Sequence, residues 1–176
     1  MCIRDRYLLG RTRTVLQDAY QHSQDCISTW TDTDVAGCRN ERKSTRGGLI
    51  MHGTHCLNSW SSKQSVIAGS SGEADYYGIV KGGSNSLGMR SLMSDLGINV
   101  RIQIKSDASA AIGIASRRGL GKIRHLEVSQ LWLRQRVDSE DLETEKAKGT
   151  DNVADALAKH LGVEDMEMHM DGVGLE

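Results

Sequence analysis

The amino-acid sequence predicts an α/β domain built on a mixed sheet. Two observations carry that reading. Three short β-prone segments follow one another closely between Ile27 and Ser61, with turn-forming residues between the last two. After a long helical stretch, a strictly alternating strand then leads into further helices and one more strand-like segment. The 176 residues are enough for one domain with its own core.

Taken in order, Ile27 to Thr33 (ISTWTDT) is rich in β-branched and aromatic residues and reads as a strand. Gly47 to Met51 and Cys56 to Ser61 are two more, separated by His52-Gly53-Thr54. Strands this closely spaced predict an antiparallel meander. Ser71 to Leu96 reads as a helix, capped by Ser70 or Ser71, with Glu73 in the first turn where a carboxylate favours the helix dipole. Gly82, Gly83 and Gly88 each cost roughly 1 kcal/mol relative to Ala, so a kink or break is expected there.

Val100 to Lys105 (VRIQIK) alternates strictly and is the clearest strand of the chain. It ends at Ser106-Asp107, and Ala108 to Ala115 follows as a short helix. Arg117 to Arg124 is a basic, glycine-containing loop, and Leu126 to Val137 is the next helix. Asp141 to Lys146 reads as a last short strand and Asn152 to Leu161 as a final helix. The expected domain covers residues 27–161, between an N-terminal tail (1–26) and an acidic C-terminal tail (162–176).

Composition excludes several classes. Hydrophobic residues make up 38 %, with no Phe and no Pro, and no apolar run approaches the roughly 20 residues that a membrane helix requires. The N-terminus has no apolar signal-peptide stretch, so an intracellular protein, in cytoplasm or nucleus and not secreted, is expected. Cys2, Cys26, Cys38 and Cys56 have no paired spacing and read as reduced thiols. Cys26, Cys38, His52, His55 and Cys56 form a loose set without the close ligand pairs of structural zinc sites. A net charge of −1 gives no whole-protein steering toward nucleic acid, although basic residues gather at 39–46 and 117–124.

The chemistry lies in the carboxylates. Asp32 stands near the end of the first strand and Asp107 directly after the fourth. If those strands are parallel neighbours, the two emerge side by side, at the strand ends where open α/β sheets bind ligands. Glu73 opens the long helix and Asp155 lies in the first turn of the last. Carboxylates brought together repel strongly unless cations hold them, and an oxygen-only site suits Mg²⁺ or Mn²⁺. Asp34 and Asp75 lie close by, and periodicity does not exclude them.

Seven strings around these acids resemble the ribonuclease H domain of copia-type LTR retrotransposon polyproteins, in the same order and across roughly Ile27 to Leu161. Thr31 to Cys38 (TDTDVAGC) resembles T-D-x-D-W-A-G-C, and Arg42 to Gly48 (RKSTRGG) resembles R-K-S-T-S-G-G. Ser59 to Gln64 (SWSSKQ) is identical to that family's string, and Ser70 to Tyr76 (SSGEADY) is similar to S-S-x-E-A-E-Y. Ser106 to Ala111 (SDASAA) is similar to T-D-S-S-A-A, Arg124 to Glu127 (RHLE) to K/R-H-I/L-[DE], and Asp151 to Leu161 (DNVADALAKHL) to N-P-A-D-x-x-T-K-x-L. Tyr7 to Gly10 resembles the end of the upstream reverse transcriptase region, whereas residues 1–6 match nothing in that family. Val35 stands for the usual Trp, Val153 for a Pro, and Asp75 for a Glu one methylene longer.

The resemblance implies a ribonuclease H-like fold: a mixed five-stranded sheet, three antiparallel strands then parallel additions, flanked by helices. It implies Asp32, Glu73, Asp107 and Asp155 as catalytic, metal-holding carboxylates for two Mg²⁺ ions, or Mn²⁺, with Asp34 and Asp75 in supporting places. The substrate would be the RNA strand of an RNA–DNA hybrid, and the partner the reverse transcriptase domain of the same polyprotein. Arg42, Lys43, Arg117, Arg118 and Lys122 are candidate phosphate contacts, and His125 reads as a helix-start residue. A catalytically degenerate remnant that at most binds nucleic acid is the alternative.

Overall fold

The computed structural model describes residues 9–11, 13–38, 42–116 and 131–175. Its core is a five-stranded sheet of β1 (Cys26–Cys38), β2 (Lys43–His52), β3 (His55–Lys63), β4 (Arg101–Ser106) and β5 (Glu143–Lys146). The strands lie in the order β3-β2-β1-β4-β5. β1, β2 and β3 pair antiparallel, while β4 pairs parallel to β1 and β5 parallel to β4. This is the mixed sheet expected from the sequence: a meander extended on one side by crossover strands.

Five helices flank it among the described residues: α1 (Ser71–Asp95), α2 (Ser109–Ser116), α3 (Trp132–Asp138), α4 (Asp155–Ala158) and α5 (Val163–Asp171). Side chains alternate across a strand, and β1 shows the consequence. Thr29, Thr31 and Thr33 face α1, where Thr29 Oγ1 lies 2.6 Å from Ser86 Oγ and Thr33 Oγ1 donates to Ala74 O at 3.4 Å. Asp32 faces the other way, toward α4, and Lys159, the residue that ends that helix, bonds it. The main core lies between the sheet and α1, with Ile27, Ile50, Tyr76, Ile79, Ile102, Ile104 and Leu133 among its buried side chains.

The glycines of α1 do not break it; the helix runs unbroken through 25 residues. They are where it comes closest to the sheet. A Cβ at Gly82 would lie 2.7 Å from Thr31 Cγ2, and one at Gly78 would lie 2.8 Å from Thr33 Oγ1. The propensity cost is met by burial of the helix against the sheet. Gly47 does the same on the other face, where a Cβ would meet the Leu157 carbonyl carbon of α4 at 2.6 Å.

Two expectations are corrected. The helix expected over Asn152 to Leu161 is a 3₁₀ turn (Gly149–Asp151) followed by the short α4, because Asn152 folds back as a connector. Its buried side chain donates from Nδ2 to Thr31 O at 3.2 Å and accepts the Ala154 amide at Oδ1 at 3.3 Å. The acidic segment expected as a tail forms α5, with Met166, His169 and Met170 buried. Their i, i+3, i+4 spacing is an apolar stripe masked by the surrounding acids. The segment before β1 is also tied down: Gln21 donates to His52 O at 2.7 Å and accepts the Thr54 amide at 2.9 Å.

Candidate metal centre

β1 and β4 pair with a constant offset, from Cys26 opposite Arg101 to Trp30 opposite Lys105. Continuing that register two residues sets Asp32 beside Asp107, as the parallel pairing of the two strands requires. Asp155 arrives from the start of α4, which Asn152 anchors to the backbone of β1. Each of these three side chains offers a carboxylate oxygen, and the three oxygens lie within 4.8 Å of one another. Among the described residues this is the only group of three or more ligating side chains so closely gathered.

Glu73 does not join them. Its Oε2 accepts the Gly69 amide at 2.8 Å and its Oε1 accepts the Tyr77 hydroxyl at 2.6 Å. Its own amide bonds Ser70 Oγ at 3.2 Å, so the residue closes the first turn of α1 in the manner of a capping box. Residues two apart on a helix point about 200° apart, so 73 and 75 cannot both face the strand ends. Asp75 shares the face of α1 that Gly78 and Gly82 turn toward β1. Burial, reinforced by the charges of Asp32 and Asp107, pushes its carboxyl up to about 7.

The electrostatics describe one crowded site. Burial first, and then the Asp155 charge, push Asp32 up to about 6 against the pull of Lys159. Burial also raises Asp155, again opposed by Lys159. Lys159 Nζ lies 3.0 Å from Asp32 Oδ1 and 3.3 Å from Asp155 Oδ1. Asp32 Oδ2, buried beside it, has no hydrogen-bond partner. A buried oxygen left bare among further carboxylates is what a hard divalent cation satisfies, so the donor set fits Mg²⁺ or Mn²⁺.

Of the residues expected from the sequence, the structure therefore brings together Asp32, Asp107 and Asp155. Glu73 instead bonds Gly69 and Tyr77 at the start of α1. Arg42 is exposed in a turn with a φ of 52° and Lys43 opens β2, beyond Asp34 at the same end of the hairpin. Arg117, Arg118, Lys122 and His125 lie outside the described residues. Lys159 and Asn152 carried no assigned role in the sequence reading. Lys159 is signalled there by its place four residues after Asp155, one helical turn along the same face.

No protein-family model matches the chain. The retrovirus-related Pol polyprotein from transposon TNT 1-94 of Nicotiana tabacum is 29 % identical over 173 residues, covering 97 % of this chain and 13 % of that protein. The Pol polyprotein from transposon RE1 of Arabidopsis thaliana is 28 % identical over 139 residues, covering 77 % of the chain and 9 % of its own length. The chain thus spans a small part of these relatives. Among solved structures, LC11-RNase H1 from compost superposes with a TM-score of 0.54 at 15 % identity, over 77 % of this chain and 94 % of that one. The same enzyme in complex with an RNA/DNA hybrid gives a TM-score of 0.52 at 14 % identity, over 75 % and 93 %.

Proposed function

We propose that this chain, which has the ribonuclease H fold and Pol polyproteins of plant transposons as relatives, hydrolyses the RNA strand of RNA–DNA hybrids with two divalent metal ions. In this reading it is the ribonuclease H domain of a copia-type LTR retrotransposon polyprotein, removing the RNA template behind the reverse transcriptase domain. The observation that carries it is the convergence of Asp32, Asp107 and Asp155 within 4.8 Å, where the middle of β1 passes the C-terminal end of β4. The solved relative of this fold that holds an RNA/DNA hybrid supports the substrate class.

Asp32 is the central ligand, since its bare Oδ2 lies among the other acids. Asp107 and Asp155 hold the flanks, and Asp75 takes the fourth place that the sequence reading gave to Glu73. The chemistry that Mg²⁺ supplies in such a site is activation of the attacking water and stabilisation of the leaving 3′ oxygen. The protein's part is to keep the carboxylates at one place on a rigid sheet, so that the ions need little reorganisation. Arg42 and Lys43 at the hairpin end, and Arg117, Arg118 and Lys122, are proposed to grip phosphates, while 2′-hydroxyl contacts select the RNA strand.

The test is cleavage of an end-labelled RNA–DNA hybrid in Mg²⁺ by the parent chain and by Asp107→Asn. Cleavage by the parent alone is expected. Equal cleavage by both would remove the site from the reaction. A folded parent that binds hybrid without cutting it would leave the degenerate remnant as the better reading.

A further inference from the structure

Lys159 has no part in the reading above, yet it is the side chain that the carboxylates actually hold. Its ammonium bridges Asp32 Oδ1 at 3.0 Å and Asp155 Oδ1 at 3.3 Å. Asp32 is 3 % exposed at its side chain, whereas Lys159 keeps 36 % of its own surface open. The anchor is therefore buried and rigid, and the cation is on a flexible stem with a way out to solvent.

We propose that Lys159 is a built-in counter-cation that fills the Asp32–Asp155 side of the site and must be displaced there by an incoming divalent ion, so that it sets the metal affinity of the domain. This deepens the reading of the site as a metal centre and rests on it. The argument is one of charge. Three carboxylates converging within 4.8 Å carry up to three negative charges, and a single ammonium between two of them offsets one. A divalent ion entering between Asp32 and Asp155 competes with that ammonium for the same oxygens. The ammonium's bonds go to Asp32 and Asp155, so the competition falls on that side of the site. The i, i+4 relation between Asp155 and Lys159 makes the device local: the ligand opens α4 and its competitor follows directly at the end of that helix.

The test compares the parent with Lys159→Met, which keeps the stem and removes the charge, and Lys159→Arg, which keeps the charge. Isothermal titration with Mn²⁺, without nucleic acid, reads affinity directly. Removing a unit charge about 4 Å from the ion is expected to tighten Mn²⁺ binding on the order of tenfold or more, and added salt shrinks the gain. Lys159→Arg is expected to stay within about threefold of the parent, within the scatter of surface charge effects. A second readout is the rise in melting temperature on adding Mn²⁺, which is expected to be larger for Lys159→Met because its ion-free form lacks the counter-charge. Binding by Lys159→Met that equals the parent's, or is weaker, overturns the proposal and leaves the metal centre standing. Absence of Mn²⁺ binding by the parent and both variants overturns the metal centre, and the proposal with it. Binding by Lys159→Met alone upholds both.

Discussion

Replacing Asp32 by Asn should stabilise the ion-free protein, although it removes the central ligand of the proposed reaction. Burial and the Asp155 charge push the Asp32 carboxyl from 3.8 to about 6. Each tenfold change in proton affinity is worth about 1.4 kcal/mol, so ionising Asp32 in the folded state at neutral pH costs about 3 kcal/mol relative to the unfolded chain. The amide of Asn carries no charge and keeps an oxygen for Lys159 Nζ, now as a neutral acceptor at the same 3.0 Å site. Allowing for the weaker bond, a net gain of about 1–3 kcal/mol is expected.

The sign follows from proton binding. A carboxyl raised in the folded state binds its proton more tightly there than in the unfolded chain. The parent is thus penalised most above about pH 6, and the penalty fades as pH falls toward 3.8. Urea denaturation in EDTA at pH 7 should give Asp32→Asn the higher midpoint at unchanged slope, with the gap closing toward pH 4. Saturating Mg²⁺ should narrow or reverse the gap, because binding stabilises the parent by mass action. An Asn variant no more stable than the parent at pH 7 in EDTA would refute the account of Asp32 as a buried, repelled carboxylate.

Other perturbations separate the roles of neighbouring residues. Asp75→Asn should weaken Mn²⁺ binding measured by titration, whereas Glu73→Gln should leave it within a few-fold and instead cost about 1–2 kcal/mol in urea unfolding by loosening the bonds to Gly69 and Tyr77. Asn152→Ala removes the tie between the α4 approach and Thr31 O; a loss of about 1–3 kcal/mol is expected, together with weaker metal binding as Asp155 loses its fixed place. Gly82→Ala would raise helix propensity by roughly 1 kcal/mol but set a methyl 2.7 Å from Thr31 Cγ2. Overpacking of that kind costs about 1–3 kcal/mol, so thermal unfolding should show a net loss.

What the chain discloses before folding depends on whether the signal is local. The strands announce themselves because alternation and β-branched side chains act over a few residues, and VRIQIK reaches the structure almost unchanged as Arg101–Ser106. The helix spanning Ser71–Asp95 is legible in extent but not in continuity. Glycine reads as a breaker until the threonines of β1 are seen pressing against it, and that contact joins residues about fifty apart. The site divides along the same line. Asp32 and Asp107 follow from strand ends and a parallel pairing, both of which are statements about the sheet. The choice between Glu73 and Asp75 turns on helix phase. The string Ser70-Ser71-Gly72-Glu73 already carries a signal: a Ser three residues before a Glu is a capping pair, and the Glu73 amide does bond Ser70 Oγ. With 73 turned to Gly69 and Tyr77, the helix twist turns 75 to the face that packs on β1. The substitution of Asp for the longer Glu at that position then becomes a statement about reach. The shorter arm must come closer to the cluster to contribute an oxygen, and burial, reinforced by the charges of Asp32 and Asp107, already raises the Asp75 carboxyl.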